Sequence, residues 1–182
     1  RGNVRRGEVV DPLAGGGCRE GARLVSIHHR SSLRKVGAVV FLGNRSLNAV
    51  TMPAGVSEVG DAACSNTGVT AFVVEAGNTA CKAVDGVLYS ADGRVLMAYP
   101  GQADAAEYTI AYDCLGVGEG AFSPAQVQKV IVPEGLRAFD DNPFSASALA
   151  EINFPSSVVL LRSQAFAKTS LPTLAPPQNI PA

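Results

Sequence analysis

The residues best suited to chemistry are two adjacent histidines, His28 and His29, and four cysteines. Imidazole and thiolate groups bind zinc when they come in closely spaced pairs. The chain contains no CxxC pair, and Cys18 with His28 or His29 matches no zinc-finger spacing. We therefore expect no metal ion and no other cofactor.

Motifs for covalent or acid-base catalysis are also missing from the sequence. There is no GxSxG, HExxH or phosphate-binding glycine loop. No nucleophile, base and orienting group fall at a plausible spacing. His29 lies at an apolar position of the repeat described below, where a histidine is usually satisfied by the backbone or by water. We expect a protein that is not an enzyme.

The charges are unevenly distributed along the chain. Residues 1–45 carry nine Lys and Arg against three acidic residues, a balance of +6, while the rest carries six against 13, or −7. Such a dipole can steer an acidic partner to the basic end, or the segment is only a solvated, atypical terminus. Nucleic-acid binding is not expected, because Tyr and Phe do not interleave with the basic residues.

A repeat of 22 residues positions the apolar side chains. In the segment 149–170 they fall at offsets 0, 3, 5, 9, 12 and 17, with a proline at offset 6. The residues at these positions are Leu149, Ile152, Phe154, Val158, Leu161, Phe166 and Pro155. The same positions recur 22 residues earlier, from Val127 to Phe144. A period of this length predicts a solenoid, in which each coil is too small to bury its own apolar face.

We expect one solenoid domain over residues 1–182, with short parallel strands and few or short helices. Its predicted parts are a degenerate coil (1–23), regular coils (24–46, 47–68, 127–148 and 149–170), a coil with an insert at about 75–107 (69–126) and a partial coil (171–182). The insert reads as a β-hairpin, in which Val87 to Tyr89 run out, Asp92 and Gly93 turn, and Val95 to Tyr99 return. It either contributes to a binding face or covers part of the sheet.

The aromatic and cysteine positions predict the core. We expect Phe144 and Phe166 to be fully buried and to share one column with Phe122. Cys18 and Cys64 occupy the Phe166 position two coils apart, too far for a disulfide. Cys114 occupies an apolar position too, whereas a bond from Cys81 to Cys64 or Cys114 is left open.

A glycine recurs just after the second apolar stretch, at Gly37, Gly60 and Gly118. Asp140 and Arg162 stand at the same position in later coils, and an arginine would be strained at positive φ. We therefore expect the glycine to serve close packing and not a left-handed backbone.

The pattern LxxIxIPxxVxxIGxxAF, as in 47–64 and 149–166, resembles the BspA-like leucine-rich repeats of bacterial surface proteins. The segment 83–101 is similar to one that recurs between such repeats. The resemblance covers about residues 24–180 and departs from the pattern at His29, Arg30, Ala111, Asp140 and Arg162. It implies an exported or cell-surface protein, often from host-associated anaerobic bacteria, that acts in adhesion or protein recognition, and it implies no conserved catalytic residues.

The chain has neither a run long enough for a membrane span nor an amino-terminal signal-peptide pattern, and it lacks an initiating Met. We expect a mature product or a fragment of an extracellular protein that binds a protein or matrix ligand. The alternative is a structural spacer within a longer surface protein. The predicted contact residues are the outward ones of each first strand: His28, Thr51, Val73, Thr109, Ile131 and Asn153. The apolar Val73 and Ile131 either mark a contact patch or lie beneath the hairpin.

Overall fold

The computed structural model describes the backbone of residues 26–27 and the whole of residues 33–172. The predictions about Cys18, His28, His29, Arg30 and the coil 1–23 lie outside the described residues. The same holds for the partial coil after residue 172.

The described residues form short strands and no helix. In chain order the strands are β1 (Ser26–Ile27), β2 (Lys35–Val36), β3 (Ala49–Met52), β4 (Glu58–Val59), β5 (Phe72–Val74), β6 (Cys81–Val84), β7 (Val87–Ser90), β8 (Val95–Ala98), β9 (Glu107–Thr109), β10 (Gly116–Val117), β11 (Lys129–Ile131), β12 (Ala138–Phe139), β13 (Glu151–Ile152) and β14 (Leu160–Leu161).

The strands form where β-branched residues alternate between core and solvent. In β11, Val130 is buried while Lys129 and Ile131 are half-buried on the other face. Pro53 follows β3 directly and cannot donate to a ladder, which ends the strand.

Successive coils stack in parallel and form two sides. On the first side β1, β3 and β5 form one sheet and β9, β11 and β13 another. The register joins Lys129 to Glu107 and to Glu151, a step of 22 residues. The second side contains β2 with β4, and a sheet in which β10, β12 and β14 are parallel. The predicted β-solenoid with coils of about 22 residues is confirmed.

The hairpin region forms part of the second side. Strands β6, β7 and β8 are antiparallel neighbours, and β8 also pairs in parallel with β10, with Val95 opposite Gly116. β8 is therefore a strand of the meander and the second strand of a coil at once. Because of this double role, the segment 69–126 contains two coils. The first coil consists of β5 and β8, and the second consists of β9 and β10. The prediction assigned this stretch to one coil with an insert.

β7 separates two apolar cores. Its consecutive residues Val87, Leu88 and Tyr89 are all buried. Leu88 packs in a core with β3, β4 and β5, whereas Val87 and Tyr89 pack in a core with the coils from β8 to β14. A strand covered on both faces is an interior wall, so the hairpin is more than a cover on an existing sheet.

Four aromatic rings stack along the second core. The ring centroids lie 4.9 Å apart for Tyr99 and Phe122, 4.8 Å for Phe122 and Phe144, and 5.4 Å for Phe144 and Phe166. These distances are close to the spacing of neighbouring strands, about 4.8 Å, because each coil contributes one ring. The predicted Phe column is confirmed, and Tyr99 extends it.

The prediction that Phe166 is fully buried is wrong. Phe144 is fully buried between two rings, whereas Phe166 is only half-buried. Among the described residues Phe166 stacks on Phe144 alone, since no later ring covers its other face.

Left-handed residues recur two positions before Phe41, Cys64 and the three phenylalanines of the column. They include Val39, Ala62, Gly120, Asn142 and Gln164, with φ between 51° and 60°. Only Gly120 among them adopts this conformation without a steric penalty.

The recurring glycine serves close packing at Gly60, whereas a Cβ on Gly37 would meet nothing within 4 Å and one on Gly118 would lie 3.3 Å from the Leu96 oxygen. A Cβ on Gly60 would lie 2.4 Å from the Ala38 nitrogen, and Gly60 has no positive φ. Asp140 and Arg162, which replace the glycine in later coils, form an ion pair at 2.9 Å.

Candidate binding surface

The predicted contact residues that the structure describes do not form one continuous row on the first side. Thr51 is half-buried beside Val73, whose side chain is 55% exposed. Thr109 is exposed beside the half-buried Ile131. The two pairs lie on separate sheets, because the first side is interrupted between β5 and β9. His28 lies outside the described residues.

Asn153 is exposed, yet its amide is bound to the neighbouring coil. Its Oδ1 accepts a hydrogen bond from the Val132 nitrogen at 2.7 Å, and its Nδ2 donates to the Val132 oxygen at 2.8 Å. This side chain closes the ladder between two coils, so its amide is already used for stability.

A charged row runs across the second sheet of the first side. The Nζ of Lys129 lies 3.3 Å from carboxylate oxygens of both Glu107 and Glu151. Hydrogen bonds to Glu107 and then Glu151 raise the pKa of Lys129. The row therefore alternates in sign along the register of β9, β11 and β13.

The second side carries an apolar row that the sequence analysis missed. Val95, Gly116, Ala138 and Leu160 lie in register on β8, β10, β12 and β14. Val95 and Leu160 are 39% and 41% exposed. Applying the alternation rule to the second strands as well would have found Gly116, Ala138 and Leu160. Val95 joins the row only through the pairing of β8 with β10.

Buried polar groups in the structure form contacts that stabilise the fold. The hydroxyls of Tyr89 and Tyr108 lie 2.6 Å apart, and the Tyr89 oxygen also accepts a hydrogen bond from the Ala111 nitrogen. Burial raises the pKa of both tyrosines, so both are neutral at physiological pH. The hydroxyl pair is thus a satisfied polar contact between β7 and β9.

The three cysteines within the described range are free thiols. Cys64 and Cys81 lie in the first core and Cys114 in the second, all buried. The described part of the chain contains no group of three or more His, Cys, Asp or Glu residues that could hold a metal ion. Over the same range no helix has the length and hydropathy of a membrane span.

Parallel strands at a constant step, an inner aromatic column and a proline after the first strand define a leucine-rich-repeat β-solenoid. The BspA-type leucine-rich-repeat model matches residues 16–83 and 101–181 in six copies. The chain belongs to this family.

Two solved structures have the same fold. A leucine-rich cell surface protein from Faecalibacterium prausnitzii is 24% identical with a TM-score of 0.75, and the match covers 83% of this chain. The pneumococcal vaccine antigen PcpA is 24% identical with a TM-score of 0.63, and the match covers 75% of this chain. Each match covers only 41% of the solved protein. No curated protein matches the sequence.

Proposed function

We propose that the chain is a non-enzymatic recognition module that is exported to the cell surface and binds protein ligands through the outer face of its first side. The observation that carries this proposal is the exposure of Val73, an apolar residue of β5 on that face. Burial of Val73 by the hairpin would have argued against a contact patch, but more than half of the side chain is in contact with solvent. Exposed apolar side chains rimmed by polar ones are typical of interaction sites.

The family and the architecture support a binding role. A solenoid exposes a long surface in which each coil contributes an independently variable outward residue, which suits protein recognition. One protein with this fold is described as a cell surface protein and another as a vaccine antigen. By analogy we propose the same location for this chain, and a matrix or host protein as its ligand.

The proposal can be tested by retention on immobilised fibronectin, laminin and fibrillar collagen. Val73→Asp should lower retention about tenfold on whichever of these matrix proteins retains the wild-type chain, because it introduces a charge into the contact patch. Val159→Asp is the matched control, since Val159 is 47% exposed and directly precedes β14 on the second side of the same solenoid. Equal retention of wild type and Val73→Asp would exclude this surface.

A structural spacer within a longer surface protein is the second candidate function. It is supported by outward positions that contact neighbouring coils, namely the Asn153 amide and the row of Lys129 with its two glutamates. A spacer should show no saturable retention on any matrix protein, and Val73→Asp should then have no effect.

A further inference from the structure

β9 has an open edge in the middle of the solenoid. In a regular stack it would pair with β5 on one side and β11 on the other. Among the described residues it pairs with β11 only, since the sheets of the first side end at β5 and start again at β9.

The main-chain hydrogen bonds show which residues face this edge. The Ile110 nitrogen donates to the Ile131 oxygen, and the Lys129 nitrogen donates to the Ala106 oxygen, both at 3.0 Å. In a parallel ladder alternate residues direct both main-chain groups to the same neighbour. The N–H and C=O groups of Glu107 and Thr109 therefore point away from β11, toward the place of the missing strand.

The hairpin takes the place of β9 next to β5. The Phe72 nitrogen of β5 donates to the Gly86 oxygen in the turn between β6 and β7, at 2.8 Å. The hairpin reaches the β9 coil through the side chain of Tyr89, which contacts the Tyr108 hydroxyl and the Ala111 nitrogen. It forms no ladder with β9.

The edge is accessible to solvent. Glu107 and Thr109 are exposed, whereas Lys129 and Ile131, their register partners inside the sheet, are half-buried. An exposed edge with unpaired main-chain groups is a template for another strand, and proteins protect such edges unless they are used.

The side chains around the edge indicate the charge of the incoming strand. The row of Glu151, Lys129 and Glu107 alternates in sign and ends on a carboxylate at the open edge. Asp104 and Asp113, which are near in sequence to β9, are exposed as well. Opposite charges stabilise cross-strand pairs and like charges destabilise them, so the next strand should place a cation beside Glu107.

We propose that the β9 edge binds an extended polypeptide segment by strand addition, with a Lys or Arg of the segment beside Glu107. The inference rests on the proposed recognition role and names the class of ligand: a basic, extended peptide of a partner protein. Main-chain hydrogen bonds to Glu107 and Thr109 supply affinity, and the cation supplies register and specificity.

The probe is the synthetic peptide QVQKVIVP, which copies residues 126–133 and hence a strand that already pairs with β9 in register. Its matched control is QVQEVIVP. With the whole chain we expect the Lys peptide to slow hydrogen exchange at the amides of Glu107 and Thr109. We expect it to bind about fivefold more tightly than the Glu peptide by calorimetry, a ratio that falls at high salt.

Two variants test the edge directly. Thr109→Pro removes an N–H that has no hydrogen-bond partner among the described residues, and prolines are tolerated on strand edges. It should weaken binding of the Lys peptide roughly tenfold, whereas Thr109→Val, which keeps the N–H, should bind as wild type does. Glu107→Lys should reverse the preference between the two peptides. Thermal unfolding followed by circular dichroism verifies that each variant is folded.

Three results would overturn the inference: no protection of the Glu107 and Thr109 amides by the Lys peptide, equal binding by Thr109→Pro, or protection that rises with protein concentration alone. The last would assign the edge to a second copy of the chain. If the peptide fails while retention on matrix proteins still depends on Val73, the recognition role stands and only the edge is excluded.

Discussion

Two buried thiols of the first core show how packing sets side-chain chemistry. Burial raises the pKa of Cys64 to about 12, with a smaller contribution from Cys81, and burial raises the pKa of Cys81 to about 11. Both thiols are therefore protonated at neutral pH and are poor nucleophiles. They act as small apolar residues.

The raised pKa values predict a loss of stability in alkali. Between about pH 9 and pH 12 the folded chain retains protons that the unfolded chain releases, so stability is full below this range and falls as pH rises through it. Urea unfolding at pH 8 and pH 10.5 measures the loss. Cys64→Ala should cost about 1–2 kcal/mol at pH 8 but show a shallower decline with pH. An unchanged slope would contradict the assignment.

Backbone conformation at Val39 predicts a stabilising substitution. Val39 has a φ of 52°, and its side chain is 50% exposed. A left-handed conformation costs an L-residue about 1–2 kcal/mol, and glycine avoids this cost. Part of the gain is offset because glycine loses more conformational entropy on folding than valine does. Val39→Gly should raise the free energy of unfolding by about 0.5–1 kcal/mol in a urea titration. Val40→Gly is the control and should destabilise, because Val40 is half-buried and does not have a positive φ.

At the scale of the element, the aromatic column links the coils of the second core. Every ring inside the column has a neighbour on both faces, and the terminal Phe166 has one described neighbour in the stack. Dispersion and burial therefore stabilise an inner ring more than an outer one.

Truncation of the column measures this difference. Phe144→Ala should cost about 3–5 kcal/mol, as expected for a large cavity between packed neighbours. Phe166→Ala should cost less, about 1–2 kcal/mol, because its side chain is already partly in solvent. Chemical denaturation of both variants gives the two values. Equal losses would mean that Phe166 is covered as fully as Phe144.

The hairpin strands show which structural features a local sequence pattern does not determine. Turn chemistry and alternation predict a hairpin. Its first strand is Val87 to Tyr89, its turn is Asp92 and Gly93, and its second strand starts at Val95. The same local pattern fits a hairpin that projects into solvent and one whose second strand continues a coil. Only the pairing of Val95 with Gly116 decides between them.

At the scale of the whole molecule, β7 couples the two cores. Leu88 belongs to the first core, and Val87 and Tyr89 belong to the second. Truncation of a side chain on one face of β7 should therefore destabilise mainly the core on that face. The turns after the second strands add a further connection, since the Ser65 hydroxyl donates to the Gly120 oxygen and the Asn66 nitrogen to the Ser123 oxygen.

Native-state hydrogen exchange can test this division. Leu88→Ala should speed exchange first in β3, whereas Val87→Ala should speed it first in β11, because each deletion leaves a cavity in a different core. Both variants should lose about 1–4 kcal/mol in global stability. Identical exchange patterns would show that the solenoid has a single energetic core.

The candidate surface was predictable only in part. The outward identity of Thr51, Val73 and Thr109 follows from strand alternation, which is a property of one strand. Whether those residues join into one row depends on which strands are neighbours. The predicted six-residue ladder did not anticipate the gap between β5 and β9, because no local pattern records that the hairpin turn bonds to Phe72.

The sequence by itself determined the solenoid, its step of 22 residues and the burial of Phe122 and Phe144, because every coil must bury the same few positions against its neighbours. Tertiary structure alone decided that β8 serves two roles, that Tyr99 extends the column and that β9 keeps an open edge. These features depend on pairing between segments far apart in the chain, and a repeat pattern specifies what a coil buries but not which strand lies beside it.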